Sequence, residues 1–577
     1  MDFLDADQSA QLLESKLLPK ERYPPELNGI GRQIAVKCQG LPLAIVVVAG
    51  ILNNIDMTSE SWKKIIESVE SVDFEYPEHC MNILALSYNY LPAYLKACFL
   101  YVGAFPRDGE IRVTRLTWLW IAEGLVLPVC GRLLEDVAED YLEDLVNRNL
   151  IIVGKRRSNG RIKTCRVHDL LRDLCLREAH KEKFLCEVKD YTPTFLMKAI
   201  APRRISLHSN ILKSFSMYSM PLARTFLCYD MNQNLPDMFL LEAIDQMDFK
   251  LMRVLDIEPL RSNHLPVEIL ELIHLRFLAL AVNCELPRSI LKLQNLQTLI
   301  VDHIWEEQYL PWEIWRMTRL RHIRLKRGCN FPHPCRSNVE DEGPLVLENL
   351  QTLSNIIGPV SCSKEVFVRF PSLKKLGIVA TESSTSSGFL GNLIWLNKLE
   401  TLRCSFLYRH QNRLPSGHNF LVNLSKLTLV DSYLPWEDMS ILALLPRLEV
   451  LKLLSFAFEG GKWIGVEGGF VKLKLLVVQN SDPSTWDADG SHFPKLEKLI
   501  LRECHNLKWI PEGIGDIVTL KGIEVHDCSF CVMQSAWDIR YLQQELGNDE
   551  FFVRITLGGK YESDLPDYFV SSIKSLP

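Results

Sequence analysis

Three Gly-Lys pairs are the residues of this 577-residue chain that could belong to a phosphate-binding loop. In the pattern G-x-x-x-x-G-K-[ST], backbone N–H groups and the lysine hold the phosphates, and the hydroxyl binds magnesium. None of the three pairs is followed by Ser or Thr, the pairs being Gly154-Lys155, Gly461-Lys462 and Gly559-Lys560. The sequence therefore predicts no ATPase activity for this chain.

A C-x-x-C pair, Cys528 and Cys531, lies near His505 and His526 and superficially resembles a metal site. Zinc sites of this kind need a second ligand pair at a regular spacing, which the sequence lacks. Because buried cysteine is also an ordinary core residue, we expect core packing here and no bound metal. The chain has no G-x-S-x-G or H-E-x-x-H motif either, so it predicts no hydrolase or metalloprotease chemistry.

A basic segment, 155–157 with Arg161, surrounds the turn Ser158-Asn159-Gly160 and could contact DNA. The whole chain carries a net charge of −6, which gives no general attraction to nucleic acid. A solvated charged turn is the more common explanation of such a segment, so we expect no DNA binding.

A denser basic cluster lies in the second half, and it consists of Arg316, Arg319, Arg321, Arg324, Lys326 and Arg327. In the repeat copy that starts at Leu320, the leucine and isoleucine positions are expected to point inward, so Arg321, His322 and Arg324 are expected to face solvent. One interpretation is a solubilising surface. The other is a protein-interaction surface formed by Arg319, Arg321, Arg324 and Arg327, which would dock an acidic helix at 133–147 within the same chain.

The elements that must carry these residues differ between the two halves of the chain. Up to residue 200, apolar spacing and turn residues predict helices at 24–40, 43–52, 60–69, 83–86, 118–123, 133–147 and 168–179. Between the last two, the period changes to that of strands, at 150–153 and 162–167. Helices, a β-hairpin and a further helix follow the order of a winged-helix module.

The second half repeats the pattern L-x-x-L-x-L at intervals of 21 to 30 residues and holds 62 of the 91 leucines. Ten copies start at Met252, Leu275, Leu296, Leu320, Leu373, Leu424, Leu448, Leu473, Leu496 and Leu520, and looser copies start at Leu350 and Leu399. Several copies are preceded by a turn at Pro266, Pro287, Pro311 or Pro511. One unit cannot bury its leucines alone, so this period predicts a stacked leucine-rich-repeat solenoid.

Four motifs of the helical half resemble those of plant nucleotide-binding, leucine-rich-repeat immune receptors. They are GLPLA at 40–44, CFLY at 98–101 with FP at 105–106, LWIAEG at 119–124, and VHD at 167–169 in place of the family's MHD. The chain is similar to the coiled-coil class, and within it to the late-blight-resistance-like receptors of the nightshade family. The resemblance implies an α+β multidomain protein, in which a helical bundle and a winged helix precede the α/β repeat solenoid.

The implied domains are the end of a nucleotide-binding domain at 1–20, a helical bundle (ARC1) at 21–78, a winged helix (ARC2) at 79–180, a linker at 181–200 and repeats at 201–577. In such receptors ADP is exchanged for ATP, and the receptor then oligomerises and triggers defence and local cell death. The resemblance implies that Pro42 lies near the adenine and that His168 contacts the β-phosphate. Pro42 can equally be a helix-initiating proline, and His168 can simply cap or pack against the following helix.

We therefore expect an intracellular immune receptor chain whose repeats bind a pathogen effector or a modified host protein. Because the phosphate-binding loop is missing, the chain is expected to be N-terminally truncated and to bind ADP or ATP poorly. The alternative is a repeat-based binding adaptor, decoy or regulatory fragment without a nucleotide switch. No secretion signal and no bilayer-length apolar run occurs, and the 16 cysteines lack disulfide spacing. We expect a cytoplasmic location, with the nucleus or the membrane surface left open.

Overall fold

The computed structural model describes residues 3–17, 25–70, 78–188, 203–208, 221–229, 249–303, 308–335, 345–381, 389–409, 413–415, 421–481, 483–558 and 560–561. The chain forms two compact units. The first comprises Met1–Ser262 with Pro266–Ala281, and the second comprises Asn263–Leu265 with Val282–Pro577. Across the described ranges, no helix is both long and apolar enough to cross a bilayer.

The first unit begins with helices. The sequence pattern predicts them except at 6–16 and 93–102, and it gives only part of those at 78–89 and 113–123. They are α1 (Ala6–Lys16), α2 (Asn28–Lys37), α3 (Pro42–Leu52), α4 (Ser59–Glu70), α5 (Glu78–Asn89), α6 (Ala93–Val102), α7 (Val113–Glu123), α8 (Leu134–Asn147) and α9 (Asp169–Lys181). Helix α3 is apolar on every side because it lies at the centre of the bundle, where Ile45, Val48 and Leu52 are buried with Trp62 of α4.

The bundle packs against the winged helix where α3 meets the end of α8. A Cβ atom on Gly50 would lie 2.2 Å from the backbone oxygen of Arg148, which leaves no room for a side chain. The Asn149 side chain donates a hydrogen bond of 2.9 Å to the backbone oxygen of Val46. Glycine is therefore required at position 50 because the backbone of α3 lies close to the backbone of Arg148, and not because of its own backbone conformation.

We expect Gly50→Ala to lower the free energy of unfolding by about 1–3 kcal/mol, because the added methyl group overlaps backbone atoms that cannot rotate away. Gly29→Ala in α2 is the matched control, since a Cβ atom there meets nothing within 4 Å. In that position alanine should be neutral or favourable, by up to about 1 kcal/mol. Urea unfolding followed by circular dichroism compares the two, and equal effects would contradict the close approach.

The winged helix contains a three-stranded antiparallel sheet with the order β1 (Ile111–Arg112), β3 (Ile162–Arg166), β2 (Ile152–Arg156). The β2–β3 turn contains Gly160 at a φ of +80°, a left-handed conformation that glycine adopts without strain. Helix α9 follows β3 directly. The predicted order of helices, hairpin and helix is thus confirmed, with β2 starting at Ile152 and not at residue 150.

Parallel repeat strands begin within the first unit, earlier in the chain than the sequence pattern indicates. They are β4 (Cys186–Val188), β5 (Arg204–Leu207), β6 (Thr225–Cys228), β7 (Val254–Ser262) and β8 (Phe277–Val282). Strand β4 lies inside the predicted linker and pairs with β5. The leucine pattern does not include β6, because Ala223, Phe226 and Cys228 occupy the buried positions that leucine takes in the other copies.

The second unit also contains parallel strands, including one for each predicted repeat that starts at Leu296 or later. Its strands are β9 (Thr298–Asp302), β10 (Gln308–Tyr309), β11 (His322–Asn330), β12 (Thr352–Ile357), β13 (Lys375–Ala380), β14 (Thr401–Phe406), β15 (Lys426–Val430), β16 (Leu434–Pro435), β17 (Val450–Leu454), β18 (Phe458–Glu459), β19 (Lys462–Ile464), β20 (Leu475–Gln479), β21 (Thr485–Asp487), β22 (Lys498–Arg502), β23 (Gly522–His526), β24 (Phe552–Leu557) and β25 (Lys560–Tyr561). Its helices are α10 (Gly358–Ser361), α11 (Lys364–Phe367), α12 (Met439–Ala443) and α13 (Phe530–Glu545).

Proline fixes the turns that precede several of these strands, as the sequence predicts. Pro266, Pro287, Pro311 and Pro511 each stand immediately before a 3-10 helix. The apolar residues three and six positions after each proline, among them Ile269, Ile290, Ile314 and Ile514, are buried. The repeat unit is therefore a strand, a proline-fixed turn and an apolar arc.

One expectation about the sheet surface is wrong. His322 was predicted to face solvent, but it is only 3% exposed. It lies in register between Thr298 of β9 and Thr352 of β12, with its Nδ1 3.3 Å from the Thr352 hydroxyl. Neighbouring strands cover a side chain at this position, so strand alternation alone overestimates its exposure.

Candidate functional site

Pro42 is the first residue of helix α3, and the residue before it, Leu41, has an extended backbone. Proline suits this position because its missing N–H would have no partner in the helix. Pro42 is half-buried. This location accounts for the proline structurally, and its predicted contact with adenine stays a prediction.

His168 is the N-cap of helix α9, where its Nδ1 accepts a hydrogen bond of 3.2 Å from the backbone N–H of Leu170. When Nδ1 is the acceptor, a neutral imidazole carries its proton on Nε2. The half-buried side chain thus caps the helix and keeps one donor that suits a phosphate oxygen.

These two residues by themselves do not make a nucleotide site. Binding of a phosphate needs several converging N–H groups or cations. Of the two residues that the resemblance assigns to the nucleotide, only His168 supplies a donor.

The basic hairpin of the winged helix faces the acidic side of α8. Arg161 pairs with Asp136 at 2.9 Å and with Glu139 at 3.0 Å. Arg156 pairs with Glu143 at 3.2 Å. The charges of the hairpin and of α8 therefore neutralise each other locally, which makes the hairpin less suited to contact DNA.

Two further acids of α8 also have partners inside the first unit. Asp140 pairs with Arg132 at 2.6 Å, and Asp144 pairs with Arg148 at 2.8 Å. An interaction of α8 with the second-half arginines would compete with these bonds. The predicted docking between the two stays a prediction.

The second-half basic residues do not form one uniform surface. Arg319 donates to the Asn295 side chain at 2.5 Å. Arg316 lies over the Trp312 ring, 5.3 Å from its centroid. Arg321 and Arg324 are half-buried near strand β11, whereas Arg327 is exposed and lines a cavity.

A buried ion-pair cluster, which the sequence did not reveal, joins the winged helix to the first repeats. The Glu123 cluster consists of Glu123, Arg204, Thr225 and Arg253. The Glu123 carboxylate is fully buried and accepts two hydrogen bonds from Arg204, of 2.9 and 2.6 Å, and one from the Thr225 hydroxyl. Arg253 donates to the Glu123 backbone oxygen at 2.9 Å. Buried charges are tolerated only when paired and hydrogen-bonded in this way.

Two further ion-pair groups also join the winged helix to the first repeat strands. Arg115 of α7 bonds to Asp256 and, at 2.8 Å, to Glu258, both on strand β7. On α9, the buried Arg172 bonds to Glu187 of β4 and donates to the Phe105 backbone oxygen at 2.7 Å. The winged helix and strands β4 to β7 are thus held together by ion pairs in which Glu123 and Asp256 are fully buried and Arg172 is almost fully buried.

Asp256 makes this contact sensitive to pH. Burial raises its pKa above the ordinary 3.8, and Arg115 only partly opposes the shift. A carboxyl with a raised pKa in the folded state binds its proton more tightly when folded, so its contribution to stability becomes more favourable as the pH falls through the folded pKa. Asp256→Asn removes this gain.

We therefore expect the Tm difference between the wild type and Asp256→Asn to shift in favour of the wild type on going from pH 7 to acid. Calorimetric melting at several pH values measures this difference. An exposed residue, Asp549, provides the control Asp549→Asn. A difference that does not change with pH would mean that Asp256 does not titrate in this way.

Comparisons with known proteins agree with this architecture. Residues 104–175 match the disease resistance protein winged helix domain, and residues 239–417 match a leucine-rich repeat region. A late blight resistance protein homolog of Solanum demissum is 33% identical over 576 residues, which cover 96% of this chain and 43% of the homolog. A second homolog from that species is 34% identical, covering 93% of this chain and 40% of its own.

The chain thus spans less than half the length of these curated relatives. Among solved structures, a leucine-rich-repeat protein of Leptospira interrogans covers 65% of this chain and 98% of its own, at 16% identity and a TM-score of 0.41.

Proposed function

This chain belongs to the plant disease resistance proteins related to the late blight resistance homologs, and we propose that it forms the recognition and control part of an intracellular immune receptor. In this role the repeats bind a pathogen effector or a modified host protein. The winged helix passes that event to the signalling parts of the receptor, which then oligomerise. We propose the cytoplasm as its location.

The observation that carries this proposal is the buried contact between the winged helix and the first repeats. Glu123 belongs to the LWIAEG segment, and its partners Arg204 and Thr225 lie on strands β5 and β6. Because these charges are buried, a displacement of β5 or β6 would leave an unpaired charge on the winged helix. A change in the early repeats therefore destabilises the winged helix, and such energetic coupling is what transmission of a binding event requires.

Disruption of the gene in its plant tests the immune role. Plants carrying the disrupted gene are expected to become susceptible to at least one isolate in a panel that the intact plant resists. Restoring the wild-type gene should restore resistance. Unchanged resistance across the whole panel would contradict the proposed role.

For the chain itself, we propose weak nucleotide binding and no ATP hydrolysis. None of its Gly-Lys pairs is followed by Ser or Thr, and His168 alone offers one donor to a phosphate. Calorimetry with ADP and ATP, together with phosphate release, measures both activities in the purified chain. His168→Ala is expected to change neither, and tight binding or turnover by the wild type would overturn this part of the proposal.

A further inference from the structure

A cavity of about 1000 Å³ lies in the second unit, at the carboxyl ends of strands β11 to β14. We call it the strand-end pocket and define it by six of its lining residues: Tyr309, Arg327, Asn330, Val360, Leu407 and Tyr408. The floor is apolar, since Phe331 and Ile357 line it and are buried. The carboxyl ends of parallel strands are a common place for ligands because side chains from several strands converge there.

Two glycines allow the pocket to form. A Cβ atom on Gly328 would lie 2.1 Å from the Ile357 side chain, so glycine lets Ile357 pack flat against β11. Gly358 has a φ of +83°, which turns the chain sharply after β12. A side chain at either position would distort or fill the floor.

Four large apolar side chains surround the pocket while remaining in water. Tyr309, Val360, Leu407 and Tyr408 are between 52% and 58% exposed. Single exposed apolar residues are common, but a group of them around one concave site indicates a binding surface.

The charge around the pocket has one sign. Arg327 lines it, and its described lining residues include no Asp or Glu. Arg403 is exposed on β14, two positions before Ser405, which lines the pocket. Side chains two positions apart in a strand share a face, so Arg403 adds a second positive charge on the face of β14 that carries Ser405.

The dimensions suit an extended chain segment. Neighbouring strands lie about 4.8 Å apart, so the four strands β11 to β14 span about 14 Å. An extended peptide of four or five residues, at about 3.3 Å per residue, covers that distance. Its main chain would cross the strand ends, with one side chain entering the pocket.

We propose that the strand-end pocket binds an acidic peptide segment of a partner protein. One large apolar side chain of the segment occupies the pocket, and the flanking carboxylates face Arg327 and Arg403. This inference rests on the proposed recognition role of the repeats and names the chemistry of the partner.

Fluorescence anisotropy tests the proposal with the purified full chain and a labelled pentapeptide, Asp-Glu-Trp-Asp-Glu. Replacing the Trp by Ala, or the four acids by Lys and Arg, is expected to weaken binding at least about tenfold. Raising the salt concentration should weaken binding of the acidic peptide. Equal binding of the acidic and basic peptides would overturn the proposal, as would tighter binding of a labelled single-stranded RNA.

Variants of the chain locate the binding surface. Ser405→Trp fills the pocket and Arg327→Glu reverses its charge, and each should weaken binding of the acidic peptide at least about tenfold. Arg327→Gln is a milder change at an exposed position, and it should weaken binding to a smaller extent. Arg447→Glu is the matched control, because Arg447 is exposed and does not line the pocket.

Circular dichroism confirms that each variant is folded. If Arg447→Glu weakens binding as much as Arg327→Glu, the effect is one of overall charge and the pocket assignment is wrong. The peptide assay does not depend on a plant response. If the acidic peptide does not bind but resistance still depends on the gene, only the pocket assignment is wrong. Unchanged resistance after gene disruption rejects the proposed function instead.

Discussion

Glu123→Gln is expected to destabilise the winged helix and the first repeats together, by about 3–5 kcal/mol. Glutamine preserves the shape of the side chain but removes its charge. Arg204, which is only 9% exposed, would then be left buried without a compensating anion. Because the partners lie on α7, β5 and β6, protection should fall in all three elements.

Hydrogen exchange read by mass spectrometry measures this loss segment by segment. Glu14→Gln is the control, since Glu14 is exposed on α1, and it should change protection little. The double variant Glu123→Gln with Arg204→Met should cost less than the sum of the two single changes, because it removes both charges. Additive effects would show that the two residues are not coupled.

Trp463→Ala is expected to destabilise the second unit by about 3–5 kcal/mol. Trp463 is buried between Trp436 and Trp486, with ring centroids 5.0 and 4.7 Å away, and Phe493 contacts it edge-on at 6.0 Å. Truncation to alanine leaves a cavity between rings that belong to successive repeats. Neighbouring repeats stabilise one another through such contacts, so the loss should extend to β19 and β21.

The control for this change is Trp509→Ala, because Trp509 has the same side chain but is 50% exposed. Its loss should cost much less. Trp463→Phe keeps an aromatic ring and removes an indole N–H that has no hydrogen-bond partner in the described structure, so it should cost less than alanine. Urea unfolding together with hydrogen exchange compares the three variants, and equal costs at 463 and 509 would contradict the stacked core.

Local periodicity accounts for the parts of the fold that the sequence predicted well. Helix α3 begins at the predicted proline, and Ile290 and Ile514 are buried in the proline-fixed turns. These features depend on residues a few positions apart, which is the range over which helix and strand periods act. The winged helix and the repeats were predictable for the same reason, and the family comparisons confirm both.

The repeat pattern fails where another residue type fills a leucine position. Ala223, Phe226 and Cys228 take the buried positions of β6, since the core there accepts other shapes. The prediction that His322 is exposed is wrong for a related reason, because the residues beside it, Thr298 and Thr352, lie on separate strands.

The sequence by itself determined the repeat period, the order of elements in the winged helix and the family, and it contains no G-x-x-x-x-G-K-[ST] pattern. Only the tertiary structure decided which distant residues meet. Glu123 and Arg204 are 81 positions apart, and the strand-end pocket draws residues from Tyr309 to Tyr408. Such contacts depend on which strands become neighbours and in what register. Free energy from burial and from charge pairing selects that arrangement over the whole chain, and no local pattern of residues records it.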